Sequence, residues 1–241
     1  MIEEGQRVLL LHEEREYYVR AGPGTLSTDL GVVPLSEIPG KSPGDTIASH
    51  KGKDFVVILP RPPDFFAHAA RSGAPMLPRD IGFVIGQTGM NRHDRVLDAG
   101  TGSGIAAIYF GGIAASVVSY EKRPEFVRQA QSNIPDAGLD NVTVVEGDVL
   151  TATGSFEVVN YDMILEPTHV AHAHRLLTPG GFLACYTPFL EQTFMVVDEA
   201  KRLFREVHTL ECIEREMTRS ARGTRPSTRV CHSGYITLAR R

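Results

Sequence analysis

The chain has 241 residues, 42% of them hydrophobic, and a formal net charge of −4, which leaves room for one full α/β domain and a small module. Slight overall acidity argues against a generic polyanion binder, and no apolar run approaches the ~20 residues of a membrane span. The acidic start Met1-Ile-Glu-Glu is unlike a signal peptide, and Cys185, Cys212 and Cys231 are far apart without a CxxC pair. The expected location is therefore the reducing cytoplasm, with an intersubunit bridge left open.

In chain order, residues 7–11, 17–19 and 55–59 are short β-like runs separated by Gly and Pro turns, which predicts a small β-barrel or meander over residues 1–62. Pro60-Arg-Pro-Pro63, Pro75 and Pro78 mark a linker over 63–74, with a helix near 64–71. A catalytic domain is expected from residue 75 to 241.

Its first strand is the most informative stretch: Arg95-Val-Leu-Asp-Ala-Gly-Thr-Gly-Ser-Gly-Ile105, an apolar run ending in Asp98 and followed by glycines at 100, 102 and 104. So tight a turn lets backbone N–H groups approach a ligand. A dinucleotide fingerprint wants a further glycine where Ile105 stands, so the spacing points away from NAD or FAD and towards S-adenosylmethionine. Asp98, Gly100, Thr101, Gly102, Ser103 and Gly104 are the candidate cofactor loop.

A helix over 105–113 leads to a buried strand over 115–120 that ends in Glu121. An acid there can accept from both ribose hydroxyls; the competing reading is an acid capping the helix that starts near Pro124. That helix presents Phe126, Ala130 and Ile134 and precedes a third strand, 141–148, whose Asp148 lies where an adenine amino group would be read. Two carboxylates favour a cationic sulfonium nucleoside over a dinucleotide carrying a pyrophosphate.

A fourth strand over 155–161 runs into Asp162, the acceptor-side candidate, and then Glu166-Pro167. Asp162 is counted both as cofactor-facing and as catalytic; its competing reading is a helix-capping acid. His169, His172 and His174 follow on a helix where only 169 and 172 share a face. With no Cys or carboxylate at ligand spacing they read as helix-surface histidines, and no metal is expected.

A strand over 179–186, a helix over 190–205 and a final strand over 231–239 complete the chain. Ten Lys or Arg against four Glu fall between Lys201 and Arg241, and Arg215, Arg219, Arg222, Arg225 and Arg229 share one segment with Gly223 and Pro226. This reads as a basic loop between late strands, either a solvated face or a phosphate-contacting one.

Four stretches resemble the archaeal and bacterial tRNA adenine-N1 methyltransferases that modify the T-loop adenine at tRNA position 58. Gly24-Thr-Leu-Ser-Thr-Asp-Leu-Gly31, with Ile38-Pro-Gly and Gly44-Asp, is similar to that family's N-terminal β domain. Leu77-Pro-Arg-Asp-Ile-Gly82 resembles the Tyr-Pro-Lys-Asp element that opens its catalytic domain. Phe156-Glu-Val-Val-Asn-Tyr-Asp162 with Glu166-Pro167 resembles the strand ending in its catalytic Asp, and Arg225-Pro226 with His232 its C-terminal Arg-Pro and Gly-His-Thr elements. The departures are Thr168 where the family has Trp, one extra residue between Asp162 and Glu166, Ala74-Pro75 for the usual Gln-Ile, and Cys231-His232-Ser233 for Gly-His-Thr.

The resemblance implies an α/β, Rossmann-like class I methyltransferase with a doubly wound, mostly parallel sheet, one late antiparallel strand and a small N-terminal β domain. It further implies S-adenosylmethionine as cofactor, a tRNA partner, a homotetramer, catalysis at Asp162, and substrate contacts from Arg79, Asp80, Glu166, Arg225 and His232. Whether neighbouring adenine 57 is also a target stays open. Two alternatives stand beside this: a methyltransferase of another acceptor, such as a corrinoid precursor or a protein carboxyl group, and a noncatalytic tRNA-binding subunit. Against the last, a binding-only subunit has no need for Gly100, Gly102, Gly104, Glu121, Asp148 and Asp162 together.

Overall fold

The structure is a computed structural model that describes residues 1–71, 73–221, 223–228 and 231–241. It divides into two compact units, Met1–Ala69 with Pro135–Gly138, and Ala70–Ile134 with Leu139–Arg241.

In the first unit, β1 (Arg7–His12) turns back through Glu13 and Glu14 into β2 (Arg15–Arg20), and β3 (Thr25–Thr28) pairs with β4 (Gly31–Pro34) as a separate ribbon. β5 (Thr46–Ala48) and β6 (Asp54–Ile58) complete an antiparallel sheet in the order β2-β1-β6-β5. Pairing of β1 with β6 makes this something other than a sequential meander. Alternation decides which side chains point inward: Val8 and Leu10 from β1 and Phe55 and Val57 from β6 share one core with Val33 and Ile38. Helix α1 (Pro62–His68) follows, with Phe65 buried edge-on against Tyr18. The expected linker is thus split, its helix lying in the first unit.

The second unit opens with α2 (Pro78–Thr88), absent from the sequence reading because Pro75 and Pro78 pass for linker punctuation. Pro78 occupies the first helical turn, where a missing N–H costs nothing. β7 (Arg95–Ala99), α3 (Ile105–Gly111), β8 (Ser116–Glu121), α4 (Pro124–Asp136), β9 (Val142–Glu146) and β10 (Phe156–Tyr161) follow. Then come α5 (Pro167–Leu176), β11 (Leu177–Thr187), α6 (Leu190–Leu203), β12 (Glu206–Glu211), the hairpin β13 (Met217–Ser220) with β14 (Gly223–Pro226), and β15 (Tyr235–Arg240).

Seven of these strands form one sheet, β12-β15-β11-β10-β7-β8-β9. β15 runs antiparallel to both its neighbours and the remaining ladders are parallel, in line with the one late antiparallel strand that the family resemblance implies. Parallel strands covered on both faces need near-continuous apolar runs, and β7 and β10 bury almost every residue. One core joins Leu97 and Ala99, Val159 and Tyr161, and Leu183 and Cys185 to Val170 and Ala173 of α5 and Val196 and Ala200 of α6.

Helix α5 corrects the histidine reading. His169 and His172 are buried at 4% and 6% exposure, not on the surface. His169 Nδ1 accepts from the Glu166 N–H at 3.0 Å, His172 Nε2 meets the Ala152 carbonyl at 3.1 Å, and His174 lies edge-on to Phe204. Among the described residues no group of three His, Cys, Asp or Glu is arranged to hold a metal, and the three cysteines are free. Among the described residues, no helix is long and apolar enough to cross a membrane.

Candidate active site

Chain order reverses between β7, whose successor β8 lies on one side, and β10 on the other. At such a switch point the carboxyl ends of the strands open a crevice, and ligands bind there. A cavity of about 460 Å³ occupies it, walled by Gly100, Tyr120, Glu121, Arg123, Asp162 and Met163. A second of about 180 Å³ adjoins Met76, Gly102, Ser103, Phe126 and again Arg123 and Asp162. Asp162 and Arg123 therefore belong to both.

The glycines turn out to serve the protein as much as any ligand. A Cβ on Gly100 would stand 1.9 Å from the Asp162 carbonyl oxygen, and one on Gly104, at φ 84°, would press on Ile134 and Ala130 of α4. Of the three, Gly102 presents its N–H to a carboxylate, donating to Glu121 Oε2 at 3.0 Å.

Asp98 does not wall either cavity. It is 1% exposed and accepts from Ser119 Oγ at 2.5 Å and Asn160 Nδ2 at 2.8 Å, and Ser119 in turn meets Thr101 Oγ1 at 2.6 Å. This network ties the ends of β7, β8 and β10 to the loop. Burial raises the Asp98 carboxyl above the usual carboxylate range against the pull of those hydrogen bonds. Ser103 is buried, its carbonyl accepting from Asn133 Nδ2 at 2.9 Å, while its Oγ has no partner among the described residues.

Glu121 is buried and takes hydrogen bonds from Gly102 and from the backbone and guanidinium of Arg123. Burial pushes its carboxyl up, and the Arg123 and Gly102 donors outweigh that, leaving it below its ordinary value. Asp148 is half-exposed and turned to Lys122 at 2.8 Å and to the Leu150 N–H at 2.9 Å, which hold it low. Its neighbours Gly147 and Val149, and not its carboxylate, wall the larger cavity.

Asp162 is the anomalous acid. Its N–H donates to the Ala99 carbonyl at 2.9 Å, and its carboxylate has no hydrogen-bond partner among the described residues. Burial, then the charges of Asp98 and Asp80, push it up to about 7. A titratable group with so displaced a value in a cavity is what acid–base or charge-stabilising chemistry requires.

Of the expected acceptor residues, Asp80 is fully buried on α2, accepting from Ser233 Oγ at 2.8 Å, with Arg79 beside it at 3.7 Å. Arg79 also donates to the Cys231 carbonyl, so α2 is fastened to the segment before β15. Burial raises the Asp80 carboxyl, with Ser233 opposing. The Tyr186 ring fills the space beside Gly234, and Asp80 and Asp162 both act on its hydroxyl. Glu166 is an exposed helix N-cap, His232 pairs with Glu211 at 2.6 Å, and Arg225 lies on the exposed β13–β14 hairpin; none of the three walls the cavities. Arg215 and Arg219 are exposed with it, whereas Arg222 and Arg229 lie outside the described residues.

Sequence reasoning missed Lys122 and Arg123, although a basic pair directly after the strand-terminal Glu121 was a visible signal. Ser119 and Asn160, polar residues inside apolar strands, were another. Tyr186 carried none, and Ser233 stood out only as part of the stretch that replaces Gly-His-Thr.

The larger cavity suits S-adenosylmethionine: a nucleoside-sized volume, an acid at Glu121 and apolar walls at Val149 and Met163. The family described as protein-L-isoaspartate(D-aspartate) O-methyltransferase matches residues 75–198, which carry β7 to β10. Relatives bearing that name match shorter pieces; the one from Methanoculleus marisnigri is 46% identical over 23% of this chain. In contrast, tRNA (adenine(57)-N(1)/adenine(58)-N(1))-methyltransferase TrmI from Methanocaldococcus jannaschii is 33% identical over 96% of this chain and 94% of its own. Among solved structures, a SAM-dependent O-methyltransferase from Thermotoga maritima is 27% identical with a TM-score of 0.86, covering 100% of this chain and 94% of that one. The tRNA (m1A58) methyltransferase TrmI from Aquifex aeolicus, 24% identical, has the same fold, with a TM-score of 0.80 over 99% of this chain and 98% of its own. A full-length match at this identity, over a domain of the isoaspartate methyltransferase type, places the chain in the TrmI family of S-adenosylmethionine-dependent tRNA (adenine-N1)-methyltransferases.

Proposed function

We propose that the protein transfers a methyl group from S-adenosylmethionine to N1 of adenine 58 in the tRNA T-loop, with adenine 57 as a second target, as in the name of the M. jannaschii relative. When bound, the cofactor supplies an electrophilic methyl group on a sulfonium. The observation that carries the reading is Asp162: an acid common to both cavities, without a hydrogen-bond partner for its carboxylate among the described residues, and half-ionised near neutrality.

As N1 attacks, positive charge grows over the purine and its exocyclic amine. A carboxylate accepting from that amine is favoured more in the transition state than in the ground state, which is how a single hydrogen bond becomes catalytic. N1 lies on the Watson–Crick edge, so the adenine must be splayed out of the folded loop to reach Asp162. The exposed arginines at 215, 219 and 225 are offered to the phosphates of the remaining RNA. The same reading makes the enzyme cytoplasmic and homotetrameric, the latter checked by sedimentation equilibrium.

A protein-carboxyl acceptor uses the same cofactor domain, but residues 1–74 lie outside the stretch matched to that family. The deciding experiment supplies labelled S-adenosylmethionine with an unmodified tRNA transcript or an isoaspartyl peptide. Mass spectrometry of nuclease digests finding 1-methyladenine in the T-loop supports the proposal; label only in the peptide overturns it.

A further inference from the structure

An ionised carboxylate has about four acceptor positions. At Glu121 all four are taken: Oε2 by the Gly102 N–H at 3.0 Å and Arg123 Nη2 at 3.3 Å, Oε1 by the Arg123 N–H at 3.1 Å and Arg123 Nε at 3.0 Å. The acid expected to hold the ribose diol therefore has no free capacity. Two donors are backbone groups fixed by the loop and by the turn into α4. The other two belong to a side chain that is 56% exposed, against 4% for its partner. Its guanidinium carbon already stands 3.7 Å over the Phe126 ring, a surface that can hold the cation after it leaves the acid.

We infer that Arg123 is an internal competitor for the cofactor's ribose: its guanidinium occupies Glu121 in the free protein and must yield both side-chain hydrogen bonds for the diol to enter. Arg123 is thus an affinity-setting residue. It satisfies a buried acid and weakens nucleoside binding by the strength of one partly exposed ion pair. The proposal rests on the assignment of Glu121 to the ribose hydroxyls.

The test is titration calorimetry with neutral probes, S-adenosylhomocysteine and its 2′,3′-dideoxy analogue, on wild type, Arg123→Met and Arg123→Lys. Removing the competitor is expected to tighten S-adenosylhomocysteine roughly two- to fivefold, as for a pair of this exposure. The dideoxy analogue, which makes no claim on Glu121, should not change. The Lys variant, keeping the charge but losing the planar fork, should fall between. Weaker binding in Arg123→Met, or equal tightening of both probes, overturns the competitor role. Wild type binding both probes equally removes the ribose assignment and the proposal with it. Circular dichroism on each variant establishes that it is folded before titration.

Discussion

Gly100 and Asp162 are in backbone contact: the Asp162 carbonyl occupies the space where any side chain on Gly100 would begin, and the Asp162 N–H is bonded one residue earlier, to Ala99. The glycine loop that walls both cavities and the acid proposed to meet the acceptor are thereby set against each other. The residue after β10 is thus packed against the glycine that follows β7.

Gly100→Ala is therefore expected to cost both cofactor binding and methyl transfer, since a collision with backbone cannot be relieved by a rotamer. S-adenosylmethionine affinity should fall tenfold or more. Gly89→Ala, also at positive φ but with open space around it, should cost only about 1 kcal/mol of stability and leave binding intact. Equal effects of the two would show that strain in φ, and not the collision with Asp162, accounts for the weakened binding.

Asp162 sets a pH profile. With its value near 7 and the ionised form the one that accepts from the amine, transfer should fall as pH drops below 7 and level off above about 8. Asp162→Asn should lose ~10²–10³ in rate and show no inflection near 7. An inflection persisting in the Asn variant would assign the titration to another group.

The same acid should weaken the fold. A carboxyl raised in the folded state keeps its proton between about pH 4 and 7 while the unfolded chain has lost it. The folded state then binds more protons, and stability declines as pH rises through that window. At pH 8 the Asp162→Asn protein should melt higher than wild type, by an amount on the order of 2 kcal/mol given a carboxylate that keeps some solvent contact, and the gap should close towards pH 4. Thermal unfolding at the two pH values decides it.

Asp80 contributes like charge to Asp162. Asp80→Asn should move the midpoint of the rate profile below 7, a shift that poorer packing of α2 would not produce. An unmoved midpoint, whatever the rate, would confine Asp80 to its bond with Ser233.

The basic hairpin is testable by salt. Replacing Arg215, Arg219 and Arg225 together by Ala should weaken tRNA binding and reduce the slope of log affinity against log salt by about one for each phosphate no longer neutralised. Cofactor affinity should be unchanged. An identical slope in wild type and variant would make these arginines a solvated face.

The sequence made the sheet legible where strands are long, apolar and acid-terminated: β7, β8, β9 and β10 all lie within the predicted runs. It concealed β3, β4 and β5, three or four residues each, because such lengths carry no periodicity. β12 escaped because its side chains are mostly exposed. The loop glycines were found for the right position but an incomplete reason, since sequence cannot show that Gly100 faces Asp162 rather than solvent or ligand. Asp98 was misplaced for the same cause: an acid at a strand end reads alike whether it points out or is clasped by Ser119 and Asn160. The meeting of Asp80 with Ser233 joins residues 153 apart in the chain, and no local pattern announces it.

The position of β15 bears on how the protein is made. It is translated after β12 yet lies between β11 and β12, bonded to both. Until it emerges from the ribosome, β12 has no ladder to join and β11 presents an open parallel edge, the kind of surface that recruits stray strands. Sheet completion is therefore a late, insertional event, and Arg79, reaching to the Cys231 carbonyl just ahead of β15, can close its bond only then. A nascent chain halted before Tyr235 would hold the glycine loop but not the finished sheet.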